Sequence, residues 1–199
     1  MSHTALDNSE MPLVSIVMCT CNGEAFVAKQ LDSLIQQTYP NIEIIISDDA
    51  STNNTVPILL EYAKKDARIK LHVNKHNLGF TDNFSNACLL ASANYIAFCD
   101  QDDIWHHEKI ERMMKHWVAG TSLMYANSVR FTNESEIPGL IENKRYRRFE
   151  GNDPRKIAVF NTISGHAMII KRELLSQLIP FQKGIMYDWW AAAVASGFG

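Results

Sequence analysis

Between Leu13 and Cys99 the chain alternates short apolar, β-branched runs with longer amphipathic stretches, and each pair predicts a strand followed by a helix. Leu13 to Met18 has strand length and is followed by a polar break. From Glu24 to Gln37, Phe26, Val27, Leu31, Leu34 and Ile35 recur at helical spacing. Pro40-Asn41 marks a turn, Ile42 to Ile46 predicts a second strand ending in Ser47-Asp48-Asp49, and Val56 to Ala63 a second helix that tolerates Pro57 in its first turn. Ile69 to Val73, Asn83 to Ala91 and Tyr95 to Cys99 predict a further strand, helix and strand. Beyond Trp105 the pattern loosens. It predicts a helix near Glu108 to Val118, strands near Ser122 to Phe131 and His166 to Ile170, short helices, and an apolar helix through Trp189 to Ala195.

Strands that alternate with helices in this way define an α/β fold: a mixed, mainly parallel, Rossmann-like sheet with helices on both faces. The 199 residues, 46% hydrophobic and 21% charged, suit a single globular domain over residues 12–199 after a flexible segment at 1–11. A net charge of -3 supplies no global positive field, which argues against nucleic acid as a partner. The four cysteines include no CxxC pair and three lie in or beside apolar runs, so buried thiols in a reducing compartment are expected. No apolar run approaches the roughly 20 residues that span a bilayer, and residues 1–11 lack the basic start and apolar middle of a signal peptide. A cytoplasmic protein is expected. The helix around Trp189 stops close to Gly199 with nothing left to cover it, and a C-terminally truncated form of a longer enzyme is expected.

Chemistry gathers where strands end. Thr20 and Asn22 follow the first strand, Asp48 and Asp49 the second, and Asp100, Asp102 and Asp103 the fourth, so all converge on the crevice beyond the carboxyl edge of the sheet. Neither Gly-rich phosphate motif is present. Three carboxylates in Asp100-Gln101-Asp102-Asp103 repel one another unless a cation neutralises them, and Mg²⁺ or Mn²⁺ completed by substrate phosphates is the simplest remedy. An acidic loop capping the helix at 104–118 explains the same residues equally well. Asp48 and Asp49 likewise read either as turn and cap residues or as acceptors for a base or ribose.

In order and spacing, Val14 to Asn22, Ile44 to Ser51, Asn77-Leu78-Gly79 and Asp100 to Trp105 resemble family 2 glycosyltransferases of the GT-A fold, and Tyr187-Asp188-Trp189-Trp190 resembles the motif that carries their catalytic base. The Asp-Gln-Asp-Asp-Ile-Trp form is similar to bacterial rhamnosyltransferase-like members that build surface polysaccharides. The resemblance implies a nucleotide-binding half at 12–105 and an acceptor-side half at 106–199, the half that the expected truncation would leave incomplete. It implies that Cys19, Thr20, Asn22 and Asn77 lie near the nucleotide, with Asp49 bonded to the base and Asp48 close by. It assigns Asp100 to the ribose and diphosphate, Asp102 and Asp103 to Mn²⁺ or Mg²⁺, and Asp188 to the general base of an inverting displacement. Gly165, His166 and Trp189 fall on the acceptor side. The partners implied are a UDP- or dTDP-sugar and a glycan or lipid-linked acceptor. The chain departs from the family in carrying Cys19 and Cys21 where hydroxyl or aromatic residues are common, and Thr81-Asp82-Asn83 where an Ala-Arg-Asn run is common.

Other features have two readings. Asp188 also suits the cap of the following helix. His166 reads as a pocket residue or a satisfied structural histidine, and Trp105, Trp189 and Trp190 as sugar-stacking platforms or core. The basic run Lys144 to Arg148 is a solvated loop or a contact for an anionic acceptor or the inner face of a membrane. Three rival functions share parts of the pattern: a phosphoacceptor signalling domain, a nucleotide-sugar pyrophosphorylase, and a relative that binds donor without turnover.

Overall fold

A computed structural model describes residues 11–132, 149–159 and 162–197. The first part of the chain runs β1 (Val14–Thr20), α1 (Val27–Ile35), β2 (Ile42–Asp48), α2 (Thr55–Lys65), β3 (Ile69–Val73), α3 (Phe80–Leu90), β4 (Tyr95–Cys99). The second part adds α4 (Lys109–Lys115), β5 (Leu123–Tyr125), α5 (Pro154–Val159), β6 (Met168–Lys171), α6 (Leu175–Leu178) and α7 (Tyr187–Gly197). The strands form one sheet in the order β3-β2-β1-β4-β6-β5. β1 pairs in parallel with β2 and β4, β2 in parallel with β3, and β6 antiparallel to both β4 and β5.

Every residue of β1, β2 and β4 is buried, as apolar runs in a sheet covered on both faces must be. Successive side chains serve opposite faces. Ile16 and Met18 of β1 join Leu31, Leu34, Ile44, Ile46, Trp105 and Trp117 on one side. Val17 and Cys19 join Ile45, Phe84, Phe98, Tyr187 and Ala191 on the other. β3, at the sheet edge, is mostly exposed or half-buried and alternates accordingly. Cys19, Cys88 and Cys99 are buried thiols, while Cys21 is exposed. α7 buries Tyr187, Ala191 and Ala192 against the second core and packs on α5 and α6. Among the described residues no helix is long and apolar enough to cross a membrane.

The structure shortens α1 and α4 at their ends, and three further expected elements are shortened or shifted for plain physical reasons. The strand foreseen over Ser122 to Phe131 is only Leu123–Tyr125, because its sole partner is the short β6 and the ladder stops where β6 does. α3 begins at Phe80 rather than Asn83, since Gly79 turns the chain at φ +83° and its carbonyl accepts the Asn83 amide. His166 lies in a 3₁₀ turn over Gly165–Ala167 just before β6 rather than within a strand.

One acidic residue sits at the opposite edge of the sheet from the loops of interest. Glu43 of β2 is buried, accepting hydrogen bonds from the Ser15 hydroxyl at 2.5 Å and from the Ser92 amide and hydroxyl at 2.7 and 2.8 Å, with Lys70 Nζ at 2.6 Å. Burial alone raises its pKa, but the Lys70, Ser15 and Ser92 donors outweigh burial and bring it down to about 2 from an ordinary value of 4.5. A folded-state pKa below the unfolded one stabilises fully above pH 4.5, and that stabilisation is lost as pH falls toward 2. Glu43→Gln is therefore expected to cost roughly 1–3 kcal/mol at pH 7. Urea midpoints measured at pH 7 and pH 3 should fall more steeply in the wild type than in the variant.

Candidate active site

β1 lies between β2 and β4, and the chain builds outward to β2 and β3 on one side before returning to β4 on the other. The carboxyl ends of β1 and β4 therefore flank the point where strand order reverses, the place where open α/β sheets bind ligands. Loops 20–24, 48–55, 74–79 and 100–105 meet there and are stitched together by side chains. Asp48 accepts hydrogen bonds from the Thr20 hydroxyl at 2.8 Å, the Ser51 hydroxyl at 2.6 Å and the Ser51 amide at 2.8 Å. Asp49 accepts from Asn74 Nδ2 and the Leu78 amide on Oδ1, at 3.0 and 2.8 Å, and from the Gly79 amide on Oδ2 at 2.9 Å. Asn22, in left-handed backbone at φ +50°, accepts from the Thr52 amide at 2.9 Å, while its own amide donates to the Ser51 hydroxyl at 2.8 Å. The Asn77 side chain donates to the Asp49 carbonyl at 3.2 Å and to the Cys21 sulfur at 3.4 Å. Gln101 ties the β4 loop to the β1 loop by accepting from the Cys21 amide at 2.9 Å and donating to the Cys21 carbonyl at 3.3 Å.

Next to this wall the acids gather around a histidine. One ligand atom each from Asp100, Asp103 and His166 lies within 4.8 Å of the others. His166 Nδ1 stands 3.6 Å from Asp100 Oδ2 and 3.6 Å from Asp103 Oδ2, too far for a hydrogen bond and close enough for strong charge coupling. Asp103 Oδ2 is buried without a hydrogen-bond partner. Burial, with the neighbouring carboxylates, pushes Asp103 above the usual carboxylate range against the opposing pull of His166 and Lys109. His166 is raised chiefly by the Asp100 carboxylate, with Asp103 adding, against burial. Such a set of hard oxygen and imidazole donors can hold a divalent cation. A cavity of about 760 Å³ opens beside it, lined in part by Phe26, Asp102, Asp103, Arg130, Ser164 and His166. A larger hollow of about 970 Å³, lined in part by Met124, Tyr125, Phe149, Ala192 and Ala195, lies around β5 and α7 and includes none of these acids.

The far side of the cluster is closed by α4 and α7. Lys109 Nζ donates to the His166 carbonyl at 2.6 Å and lies 3.3 Å from the centroid of the Trp105 ring, and burial brings its pKa down to about 7. Asp188, in the first turn of α7, accepts from the Gly165 amide on Oδ2 at 3.1 Å and from the Trp189 amide on Oδ1 at 2.6 Å. Burial raises its pKa despite these donors, with Asp100 adding to the rise. Tyr187 is buried among Phe84, Phe98 and Phe181, its hydroxyl unpartnered.

The expected residues thus divide. Cys19 and Thr20 are buried beneath the crevice, Cys21, Asn22 and Asn77 stand at its surface, and Asp48 and Asp49 bind the chain's own donors. Asp102, expected with Asp103 at the metal, is exposed and outside the close cluster, whereas Asp100 and His166 belong to it. The neighbouring acids leave their loop in different directions, and linear spacing does not reveal which of them turn inward. Trp105 is buried and Trp190 packs against the core, while Trp189 is 37% exposed with its indole N–H on the Ile157 carbonyl at 2.8 Å. The basic run Lys144 to Arg148 lies outside the described residues. The sequence motifs include Gln101 and Ser51 without assigning them a role, and they do not reach Lys109. Gln101 sits inside the acidic motif itself, but only the folded loops show what the other two touch.

A mainly parallel sheet with an acidic cluster at its switch point defines an open α/β fold with its candidate site in the cleft beyond the strand ends. Residues 15–179 match the profile of Glycosyl transferase family 2, and the chain belongs to that family. It is 37% identical over 126 residues to the UDP-Glc:alpha-D-GlcNAc-diphosphoundecaprenol beta-1,3-glucosyltransferase WfgD of Escherichia coli, covering 63% of this chain and 49% of that protein. It is 30% identical over 197 residues to the dTDP-rhamnosyl transferase RfbG of Shigella flexneri, covering 89% of this chain and 64% of that protein. Against the mannosyltransferase PcManGT of Pyrobaculum calidifontis, solved with GDP-Man and Mn²⁺, the TM-score is 0.70 at 18% identity, over 97% of this chain and 54% of that one. Against TarS of S. aureus in complex with UDP it is 0.64 at 20% identity, over 92% and 54%. The GT-A architecture expected from the motifs is the one observed. The chain spans a third to two thirds of the length of such curated relatives.

Gly165 has a steric role that the sequence did not suggest. A Cβ there would stand 1.8 Å from the Tyr187 hydroxyl oxygen, and the phenol is hemmed in by its aromatic neighbours. Gly165→Ala is expected to cost about 1–3 kcal/mol or more through overpacking. Thermal unfolding of the variant should show a clearly lowered midpoint.

Proposed function

We propose that this chain carries the donor site of an inverting glycosyltransferase that moves a sugar from a nucleotide diphosphate sugar to an acceptor hydroxyl in glycan synthesis. The observation that carries this reading is the Asp100, Asp103 and His166 cluster, with the buried, unpartnered Asp103 Oδ2 turned toward it at the switch point of the sheet. An orphaned buried oxygen beside two further ligands fits Mn²⁺ or Mg²⁺, with Asp102 at the rim of the adjoining cavity. Bound there, such a cation would offset the charge that builds on the departing diphosphate.

The chain's own groups do the rest. Loops 20–24 and 74–79 form the nucleotide wall, with Cys21, Asn22 and Asn77 at its surface and Cys19 and Thr20 behind. On Asp49, Oδ1 already accepts two protein donors but Oδ2 only one, which leaves an acceptor position for a base N–H. Uracil and thymine each offer such a donor, as guanine does, and the names of the WfgD and RfbG relatives, which carry UDP-Glc and dTDP-rhamnosyl, support a UDP- or dTDP-sugar at this site. Asp48 braces the wall from beneath. Asp188 takes the proton of the acceptor hydroxyl as its oxygen bonds the anomeric carbon. The bond from that carbon to the diphosphate breaks on the opposite face, and the configuration inverts. The Gly165 and Trp189 amides hold the carboxylate in place, and its raised pKa strengthens it as a base. The exposed face of Trp189 and the 164–166 turn offer an acceptor platform. WfgD acts on a lipid-linked diphosphate, and a similar acceptor would bring this enzyme to the inner face of a membrane.

Titration with UDP, dTDP and GDP, each with and without Mn²⁺, tests the donor site. Binding of UDP or dTDP that Mn²⁺ strengthens and Asp103→Asn abolishes is expected; equal binding in that variant would overturn the cation assignment. Asp188→Asn should lower kcat by roughly 100-fold to 10,000-fold with donor affinity unchanged. Because the base acts only when deprotonated and burial raises its pKa, the acid limb of kcat/KM should lie above the ordinary carboxylate range.

A further inference from the structure

Lys109 opens α4, yet its ammonium does not extend into water. A lysine in the first turn of a helix faces the positive end of the helix dipole, so strand and helix packing alone give no reason for a cation at this position. It turns inward instead. Its Nζ donates to the main-chain carbonyl of His166 at 2.6 Å, across 57 residues of sequence, and stands 3.3 Å over the buried indole of Trp105. Asp100 and Asp103 are near enough to act on its charge. One side chain therefore touches both segments that build the cluster: the loop after β4, through Trp105, and the turn before β6, through His166.

The β4–β6 ladder brings these two segments alongside each other, but its last pair is Ala97 with Ile169, so it stops short of the 100–105 loop and of His166. Asp100 and Asp103 follow β4, while His166 arrives from the second half of the chain by the 3₁₀ turn over Gly165–Ala167. The spacing of three ligands for one cation depends on how the turn sits against the loop. The geometry points to Lys109 as a positioning residue of the cation site: it pins the His166 turn to the Trp105 segment and so sets the separation of His166 from Asp100 and Asp103. This rests on reading those three residues as cation ligands.

Two effects of Lys109 oppose each other. Its charge repels a nearby cation, so a lysine that acted by charge alone would weaken metal binding and its removal would tighten it. A lysine that holds a ligand in place acts in the other direction, and groups that orient metal ligands from behind are typically worth about 10-fold to 100-fold in affinity. The carbonyl, the indole and the two carboxylates already surround the ammonium and compensate its charge. Positioning should therefore prevail, and the sign of the change separates the two.

The probe is Mn²⁺ alone, titrated into the full chain and followed by electron paramagnetic resonance of the free ion, with circular dichroism to confirm folding. Lys109→Met should weaken Mn²⁺ binding about 10-fold to 100-fold. Lys109→Arg, which keeps a cationic donor, should recover most of that loss. Should the methionine variant not fold, Lys109→Gln, too short to bridge to the carbonyl, is read in the same way. Placed in a His166→Ala background, Lys109→Met should add less than about threefold, because a group that acts through His166 has nothing left to position. Mn²⁺ binding by Lys109→Met as tight as wild type, or tighter, overturns the proposal, as does an equal loss in both backgrounds. Asp103→Asn separates the two levels: if it binds Mn²⁺ like wild type, the cation site itself is misassigned and Lys109 loses its role with it.

Discussion

The parallel pairing of β1 with β2 on one side and β4 on the other is the constraint from which the rest follows. A strand buried on both faces and bonded along both edges cannot slip in register without turning apolar side chains out of one core and into the other. With the register set, Thr20 and Asp48 end at the same level, and the loops after β1, β2 and β4 leave the sheet side by side. Reversal of strand order at β1 then opens a gap between the loops after β1 and β4. The candidate site occupies that gap.

Within the gap, two kinds of acidic residue behave differently for a physical reason. Asp48 and Asp49 are buried and surrounded by hydroxyl and amide donors, so their charge goes mainly into holding loops, with one acceptor position on Asp49 Oδ2 left over. Asp100 and Asp103 have far fewer donors, and Asp103 keeps an oxygen that nothing satisfies. Carboxylates left in that state favour a cation or a proton. The same contrast recurs across the sheet, where Glu43 meets four donors and is purely structural. Donor supply, rather than acidity or burial alone, separates acids that brace loops from acids left open to a further partner in this fold.

The antiparallel strand β6 and helix α7 add the second half of the chemistry. β6 pairs beside β4, which carries the turn with Gly165 and His166 to the acids, and α7 follows with Tyr187 and Asp188. Gly165 lets the Tyr187 phenol approach, its amide holds Asp188, and the adjacent His166 faces Asp100 and Asp103. A single short turn thus couples the cluster of Asp100, Asp103 and His166 to the carboxylate proposed as base.

From the sequence alone, the strand and helix alternation through Cys99 and the gathering of polar residues at strand ends were legible, because both are written in local periodicity and in the crevice rule that follows from it. The order of the motifs was specific enough to suggest the family. What periodicity cannot express is the direction in which neighbouring side chains leave a loop. Which of Asp100, Asp102 and Asp103 face inward, whether His166 meets them, and why Lys109 points away from water were decided only when segments distant in sequence packed together. The short β5 has the same origin, since a ladder extends only as far as its partner. The chain's local pattern determined the scaffold and the neighbourhood of the site, and tertiary contact selected the residues that share it, because charge, distance and donor supply are properties of the packed neighbours rather than of any one stretch.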